Sequence, residues 1–197
     1  MAAAAQDARP QRGAPPAAKS EPEKPDPSKP DPTQPAGRQR ILDELFDKLA
    51  KAQDDRDARG LAAAIERVWM RSGSDTSDLL MSRAMQAMQG KDNMLALELL
   101  DRILEIHPDW AEALNKRATV KFLLEDYGGA MQDIASVLKL EPRHFSALSG
   151  MGFILQKTQN EKLAVKAFRK ALELYPRQEE IKKIVEKLTG EVDGQDI

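Results

Sequence analysis

The sequence predicts an all-α protein built from a row of stacked helical hairpins. In residues 41–188 apolar side chains recur at intervals of three and four, the spacing of one face of an α-helix. Glycines are sparse there, and the β-branched runs that are typical of strands are absent. The three prolines that follow Pro35 are Pro108, Pro142 and Pro176, spaced 34 residues apart. A fixed interval of this length indicates a repeated helical unit rather than one irregular bundle.

Composition limits the class of protein and of partner. The chain has 197 residues, enough for one medium-sized domain, and a formal net charge of −2. A charge this small gives no general attraction to nucleic acid or to an anionic membrane, so neither partner is expected. Cysteine is absent, which excludes disulfides, thiolate nucleophiles and cysteine-based metal sites. No run of about eighteen apolar residues occurs, so no membrane span is predicted.

Residues 1–40 are predicted to be a disordered tail rich in proline and alanine. They hold nine of the twelve prolines and no aromatic residue, Ile, Leu or Val, so burial could not offset the entropy lost on ordering them. The segment EPEKPDPSKPDPTQP is expected to be an extended, semi-rigid spacer. The alternative, a ligand for a proline-recognising groove, lacks a P-x-x-P motif with flanking specificity residues.

The first residues leave two interpretations of location open. MAAAAQ resembles the end of a cleaved signal peptide whose apolar segment would lie upstream, which would place the protein in the periplasm or outside the cell. The alternative is an ordinary alanine-rich amino terminus on a cytoplasmic protein.

Hydrophobic periodicity and turn signals place the helices. ILDELFDKLAKA and ARGLAAAIERVWM are the first two. The turn signals SGSDTSD, QGKDN, HPDW, EDYGG, EPRH and TQNE divide the remainder into antiparallel pairs. QEEIKKIVEKL predicts a capping helix over 179–189 that covers the last hairpin, and residues 190–197 are expected to fray.

Three units align when each proline is placed at position 32 of a 34-residue frame: 77–110, 111–144 and 145–178. Small residues recur at positions 8 and 20, where they let the two helices of a hairpin approach closely. Larger apolar residues recur at positions 24 and 27, where they fill the space against the next hairpin. Proline ends the second helix, because it lacks an N–H and disfavours helix in the preceding residue. The small residues are Ala84, Ala118 and Gly152, then Ala96, Ala130 and Ala164; the others are Leu100, Ile134 and Phe168, then Ile103, Val137 and Ala171.

This pattern resembles that of tetratricopeptide repeats (TPRs), which share its period and its spacing of small, bulky and proline positions. AEALNKRATVKFLLEDYGGAMQDIASVLKLEP, from the middle unit, is close to the family consensus along its whole length. The resemblance implies a right-handed α-solenoid of helix-turn-helix hairpins with a C-terminal capping helix. Shifting the frame back by one unit predicts a degenerate capping repeat over 41–76. In it Ser74 replaces the proline, and the small and bulky positions hold Phe46, Ala50, Ala62 and Trp69.

The sequence offers no constellation of residues for catalysis or metal binding. The two histidines, His107 and His144, fall in inter-repeat turns, where solvent-exposed positions are expected, and no set of ligands converges on either. P-loop, Rossmann and nucleophile-elbow motifs are absent. The carboxylates are spread over helix faces, as on a solvated surface. We therefore predict no enzyme, no metal and no cofactor.

Arg117, at position 7 of its unit, is predicted to have a structural role. Its stem should pack and its guanidinium should reach an acid on the second helix, with Asp133 as the expected partner. The alternative is a pair with Arg83, at the same position of the preceding unit, that binds an anionic ligand.

Two tryptophans and one turn carry further structural predictions. Trp69 and Trp110 are expected to be packing residues. In PDWAE, Asp109 and Glu112 resemble a capping box that starts the following helix.

The resemblance implies that the functional surface is the concave groove lined by the first helix of each repeat. Met and Phe there make adaptable apolar contacts, and small hydroxyl and amide groups can hydrogen-bond an extended backbone. The alternative is that some of these residues, Met88 and Leu123 above all, belong to the core. The predicted peptide-binding residues are Ser82, Met85, Met88, Gln89, Asn115, Thr119, Phe122, Ser149, Phe153 and Gln156.

Family members that hold the carboxyl terminus of chaperones do so with a clamp of Lys, Asn and Arg, and this sequence lacks it. The matching places hold Ser82, Met85, Lys116, Ser146 and Gly150. We expect a non-catalytic adaptor that binds a peptide or protein segment of unknown identity, as a monomer or weak homodimer. The alternative is a structural protein that self-associates through the Ile41–Trp69 hairpin or the final helix.

Overall fold

The computed structural model describes residues 35–194 of the chain, and the side chains of residues 36–190. Over this range the chain forms nine helices and no strand, which confirms the all-α prediction. The predicted tail of residues 1–40 lies outside the described residues as far as residue 34, with the possible signal-peptide remnant, but residues 35–40 are helical and belong to the first helix. In chain order the helices are α1 Pro35–Ala50, α2 Asp55–Trp69, α3 Asp75–Gln89, α4 Asn93–Ile106, α5 Ala111–Leu123, α6 Tyr127–Leu140, α7 Phe145–Lys157, α8 Glu161–Leu174 and α9 Glu179–Gly194.

Helices α3 to α8 form the three predicted repeats. The pairs α3–α4, α5–α6 and α7–α8 are hairpins, and each hairpin packs on the next through α4 against α5 and α6 against α7. The last helix, α9, packs on α8. This stepwise stacking confirms the predicted α-solenoid of helical hairpins.

Each repeat turns between its helices through one residue in the left-handed conformation. Lys91, Glu125 and Gln159 have φ of 60°, 62° and 61°, and all three occupy position 15 of their units. In the first two turns the next residue, Asp92 or Asp126, caps the following helix by accepting a backbone N–H. Sequence reasoning found these turns but not their left-handed residues, because none of the three is a glycine.

The small residues at positions 8 and 20 lie where the paired helices come closest. Ala96, Ala130 and Ala164 are fully buried. At Gly152 there is no room for a side chain, since a Cβ atom there would lie 2.5 Å from the ring of Phe168 on the facing helix. The bulky ring occupies the space that the missing side chain leaves, which explains why this unit carries glycine where the others carry alanine.

The hairpin formed by α1 and α2, here called the first hairpin, differs from the predicted capping repeat. Its turn falls between Ala50 and Asp55, earlier in the 34-residue frame than in the three repeats, and α2 does not pack beside α3 as α4 packs beside α5. Ala50, which the frame places at a close helix contact, is exposed. Gly73, between α2 and α3, has φ of +85°, a conformation that glycine adopts without strain. The 34-residue register of the three repeats therefore does not extend through this connection into the first hairpin.

The first hairpin turns back and packs on the segments where α6 joins α7 and α8 joins α9. The indole of Trp69 stacks on His144, with ring centroids 4.0 Å apart. Phe46 lies edge-on to Phe145 at 6.4 Å, and Phe145 in turn contacts Tyr175 at 5.5 Å. The residues that the first hairpin contributes to this buried cluster are Leu42, Phe46, Leu49, Ala58, Ala62, Ile65 and Trp69.

Two arginines of the repeats fasten the first hairpin at its edges. Arg177 donates to the carbonyl oxygen of Ala52 at 3.1 Å and pairs with Asp55 at 3.0 Å. Arg143 pairs with Asp43 at 2.8 Å. These contacts join residues that are about a hundred or more positions apart in the chain.

The last helix is longer than predicted. It runs over Glu179–Gly194 instead of ending at residue 189, and residues 195–197 lie outside the described range. Ile181 and Leu188 are buried against α8 in the way expected of a capping helix. None of the helices in residues 35–194 is both long and apolar enough to cross a membrane.

Candidate functional site

A cavity of about 720 Å³, here called the groove cavity, lies between α2, α5, α7 and α9. Its lining is mainly apolar, with Phe122 and Leu123 on α5, Phe153 on α7 and Tyr175 after α8. Leu123 is 53% exposed and Phe153 is 37% exposed, so both present apolar surface to a ligand. Contiguous apolar surface of this kind marks an interaction site more often than a plain solvated face.

Four of the ten predicted peptide-binding residues line the groove cavity: Thr119, Phe122, Ser149 and Phe153. The ring of Phe122 lies 5.6 Å from Tyr127, and that of Phe153 lies 5.1 Å from Phe168. Aromatic neighbours hold both rings in place, so they offer firm apolar contacts at little further cost in side-chain entropy.

The other six predicted residues do not line the groove cavity. Ser82, Met85, Met88 and Gln89 lie on α3, and Gln156 is half-buried near the end of α7. Met85 and Met88 pack partly against the main core, as the alternative interpretation of Met88 expected. Asn115 is buried, where its amide donates to Glu112 at 3.4 Å.

Ser149 lines the groove cavity, but its hydroxyl oxygen is buried and does not face a ligand directly. The residue is only 8% exposed, and its hydroxyl has no hydrogen-bond partner among the described residues. A buried hydroxyl without a partner costs free energy.

Helix α2 forms one wall of the groove cavity, which sequence reasoning missed. Arg59 and Glu66 on this helix are lining residues, and Glu66 accepts a hydrogen bond from Ser146 at 3.4 Å. Loss of solvation raises the pKa of Glu66, and the charge of Lys116 acts against that rise. The frame placed α2 in a separate repeat, so no signal in the sequence pointed to it as part of this site.

A buried cluster of Glu112, His144 and Lys116 lies beside the groove cavity, where two predictions are wrong. His144, expected to be exposed, is fully buried and caps α7 by accepting the N–H of Ala147 at Nδ1. Its Nε2 therefore carries the proton and donates to Glu112 at 2.9 Å. Glu112 forms no capping box, since α5 begins after Trp110 without a side-chain cap.

The electrostatics of this cluster favour an ionised Glu112. Burial of the carboxyl opposes ionisation, but the hydrogen bond from His144 and the charge of Lys116, whose Nζ lies 2.8 Å away, outweigh it. The pKa of Glu112 therefore lies below its ordinary value. The charge of Glu112 is balanced by Lys116, and its carboxylate is also hydrogen-bonded to His144. The cluster is therefore a structural link between α5 and α7 rather than a reactive centre.

Two other predictions are confirmed. Arg117 pairs with Asp133, at 2.8 Å from Nε and 2.6 Å from Nη2, and also reaches Asp101 at 2.8 Å. Trp69 and Trp110 are both buried in the packing, 2% and 5% exposed.

The described residues hold no group of three or more side chains arranged to bind a metal ion. His107 is half-buried in the turn after α4. It lines a second cavity of about 880 Å³ that also includes Arg38, Trp69 and Asp78. In that cavity the carboxylate of Asp78 is already held by Ser72 at 2.6 Å.

Comparison with known proteins finds a relative by sequence and solved structures of similar fold. No family model matches the chain. It is 42% identical over 153 residues to a TPR repeat-containing protein of Rhizobium etli, covering 76% of this chain and 75% of that protein. Among solved structures, the TPR domain of Sgt2 from Aspergillus fumigatus matches 62% of this chain and 83% of that chain, with a TM-score of 0.59 and 22% identity. The first TPR of Spaghetti, bound to an HSP90 peptide, matches 59% of this chain and 95% of that chain, with a TM-score of 0.57 and 19% identity.

Proposed function

Because this chain belongs to the tetratricopeptide repeat family, we propose that it is a non-catalytic adaptor that binds a peptide or protein segment in the groove cavity. The observation that carries the proposal is the exposed apolar lining of that cavity, at Leu123 and Phe153. The polar residues Thr119, which is exposed, and Ser146, which is half-buried, also line it. Apolar anchors with a few convergent polar groups are the usual design of a peptide-binding groove.

The chemistry of the groove cavity favours a ligand with apolar side chains. The rings of Phe122, Phe153 and Tyr175 and the side chain of Leu123 are lining residues, so burial of a Leu-sized or aromatic side chain would supply most of the affinity. A TPR domain of related fold is bound to a peptide, which supports a ligand of this size. The chaperone clamp is absent, and Lys116 at one of its places is engaged by Glu112, so the ligand differs from a chaperone tail.

Self-association, the alternative, finds less support. The alternative requires exposed apolar surface on the first hairpin or the final helix. In the first hairpin Leu42, Phe46, Leu49, Ile65 and Trp69 are buried within the same chain, and in the final helix Ile181 and Leu188 are buried. We therefore propose that the chain binds a different protein or peptide rather than a second copy of itself.

A matched pair of surface substitutions tests the groove. Leu123→Ser changes a lining residue that is 53% exposed, and Leu163→Ser changes a residue on α8 that is 49% exposed and does not line the cavity. Wild type and both variants are immobilised and used to capture partners from a native extract, with quantitative mass spectrometry as the readout. We expect Leu123→Ser to reduce the captured partner about tenfold, since one buried leucine is worth about 1.5–3 kcal/mol, and Leu163→Ser to leave it unchanged. Equal capture by all three proteins would reject the groove as the binding surface.

A further inference from the structure

The first hairpin packs against one edge of the groove cavity. The repeat residues at this edge hold positions that the repeat frame assigns to the ligand-binding face. Position 2 of α5 and α7 is Glu112 and Ser146. Ser146 donates to Glu66 of α2, and the ring of Trp69 stacks on His144, which binds Glu112. A helix of the chain itself therefore already occupies this edge.

The face that α2 presents shows what chemistry this edge accepts. Glu66 and Trp69 are three residues apart, so they lie on the same side of the helix. The carboxylate accepts a hydrogen bond from the hydroxyl of Ser146 at 3.4 Å. Desolvation and the charge of Glu112 oppose its ionisation, whereas the charge of Lys116 favours it. The indole lies flat on His144 and tilts against Phe145 at 5.2 Å. The edge thus binds a helix that carries an acid three residues before a large aromatic residue.

The resident helix leaves hydrogen-bonding groups unpaired at this contact. Trp69 is only 2% exposed, yet its indole N–H has no partner among the described residues, and the same is true of Nη2 of Arg143. Buried donors without partners weaken an interface. An occupant that lacks the N–H, such as a phenylalanine, would avoid one of these costs.

The connection between the first hairpin and α3 has more conformational freedom than the junctions between repeats, although the hairpin is also held where the indole N–H of Trp110 donates to the carbonyl oxygen of Trp69 at 2.8 Å. Gly73, in the connection to α3, has φ of +85° and open space around it, whereas each junction between repeats has a proline that fixes the chain. The ion pairs of the first hairpin are exposed on the hairpin side, at Asp43 and Asp55, and exposed pairs contribute little stability.

We propose that the edge formed by Lys116, His144 and Ser146 is a second recognition surface, which takes an amphipathic helix with an acidic residue three positions before a large aromatic residue. The resident α2 occupies this surface in the closed protein, and a partner helix of the same chemistry replaces it. The inference rests on the proposed function only in that both make the chain a protein-binding module. The edge adjoins the groove cavity, which Glu66 and Ser146 also line, so the two surfaces are distinguished by substitutions that change only one of them.

A synthetic peptide of residues 54–71, labelled with a fluorophore, provides the probe. Its binding to the full chain is followed by fluorescence anisotropy. Asp43→Ala combined with Asp55→Ala removes the ion pairs of the first hairpin and leaves the repeats unchanged. Since apparent affinity scales with the fraction of open protein, we expect this variant to bind the peptide about tenfold more tightly than wild type. Peptides with Glu66→Lys or Trp69→Ala should bind at least about tenfold more weakly, and the Trp69→Phe peptide should bind as well as the parent.

A second variant keeps the test decisive if the first one unfolds. The chain has no cysteine, so Asp43→Cys with Arg143→Cys, whose side chains meet at 2.8 Å outside the proposed surface, can be bridged by a short bismaleimide to hold the first hairpin closed. The bridged protein should not bind the peptide, whereas the unbridged one should. Equal binding by bridged and unbridged protein, or by parent and Trp69→Ala peptides, would overturn the proposal. Loss of peptide binding in Phe153→Ala would also overturn it, because the peptide would then occupy the floor of the groove cavity and the proposed function alone would stand.

Discussion

Arg117 shows how one residue links two repeats. Its guanidinium makes a two-point contact with Asp133 in its own hairpin and reaches Asp101 in the preceding one. Lys121 also contacts Asp133, at 2.8 Å, so this buried carboxylate is neutralised from two sides. The sequence indicated Asp133 because positions 7 and 23 of one unit face each other across the hairpin, but the link to Asp101 depends on how successive hairpins stack.

Removal of this guanidinium should destabilise the stack. Arg117→Ala leaves Asp133 with Lys121 alone, and we expect the free energy of unfolding to fall by about 2 kcal/mol, as for a buried charge that loses a hydrogen-bonded partner. Arg83→Ala is the matched control: Arg83 holds the same position of its unit but is exposed, and no ion pair is seen for it among the described residues. Its substitution should change stability by less than about 0.5 kcal/mol. Urea titrations followed by circular dichroism measure both, and equal effects would contradict the proposed role of the ion pairs.

His144 and Glu112 mark where local reasoning about residues failed. Both stand in turn-like sequence, where exposure is the ordinary expectation. The returning first hairpin places Trp69 over His144 and excludes solvent from the pair. A buried histidine and carboxylate must then satisfy each other, which they do through the hydrogen bond at 2.9 Å.

At the scale of helices, close approach within a hairpin depends on what stands at position 8. In α7 this is Gly152, and the ring of Phe168 fills the space in front of it. The pattern of small residues in the sequence was enough to predict the approach. It did not show that glycine rather than alanine is required, because that depends on the rotamer of a phenylalanine sixteen positions away.

A methyl group at this contact should cost stability. Gly152→Ala forces Phe168 or the helix axes to move, and we expect a loss of about 2 kcal/mol, as for other overpacked cores. Gly60→Ala on α2 is the control, since no atom lies within 4 Å of the added carbon. There the better helix propensity of alanine should raise the free energy of unfolding by about 0.5–1 kcal/mol. Thermal or urea unfolding measures whether each substitution raises or lowers the free energy of unfolding. Stabilisation by Gly152→Ala would show that the two helices of the hairpin can move to accommodate the added methyl group.

At the scale of the whole molecule, the first hairpin decides the shape of the groove. It closes one side of the groove cavity with Arg59 and Glu66. Arg177 connects it to the far end of the chain through Ala52 and Asp55. The chain therefore forms a closed arrangement in which its first hairpin and its last helices meet.

Loss of this connection should loosen the first hairpin without unfolding the repeats. In Arg177→Ala we expect amide hydrogen exchange in residues 41–69 to become about tenfold faster. The reason is that local opening of the first hairpin then no longer has to break the contacts of Arg177 with Ala52 and Asp55. Exchange in α5 and α6 should stay as in wild type. Arg102→Ala, which removes an exposed pair with Glu105, is the control and should leave both regions unchanged. Faster exchange throughout the chain would mean that the first hairpin and the repeats open as one unit.

The sequence by itself determined the three repeats and the covering helix, because their contacts are made by residues close in the chain and are repeated every 34 positions. Small residues at fixed places, such as Ala130 and Ala164, were sufficient to pair the helices. Only the tertiary structure decided where the first hairpin lies and which residues line the groove cavity. Those contacts join residues as far apart as Asp55 and Arg177, 122 positions distant, and no local period records an interaction that occurs once. The physical reason is that stacked repeats bury apolar surface against their neighbours in sequence, whereas the first hairpin buries its own against the other end of the row.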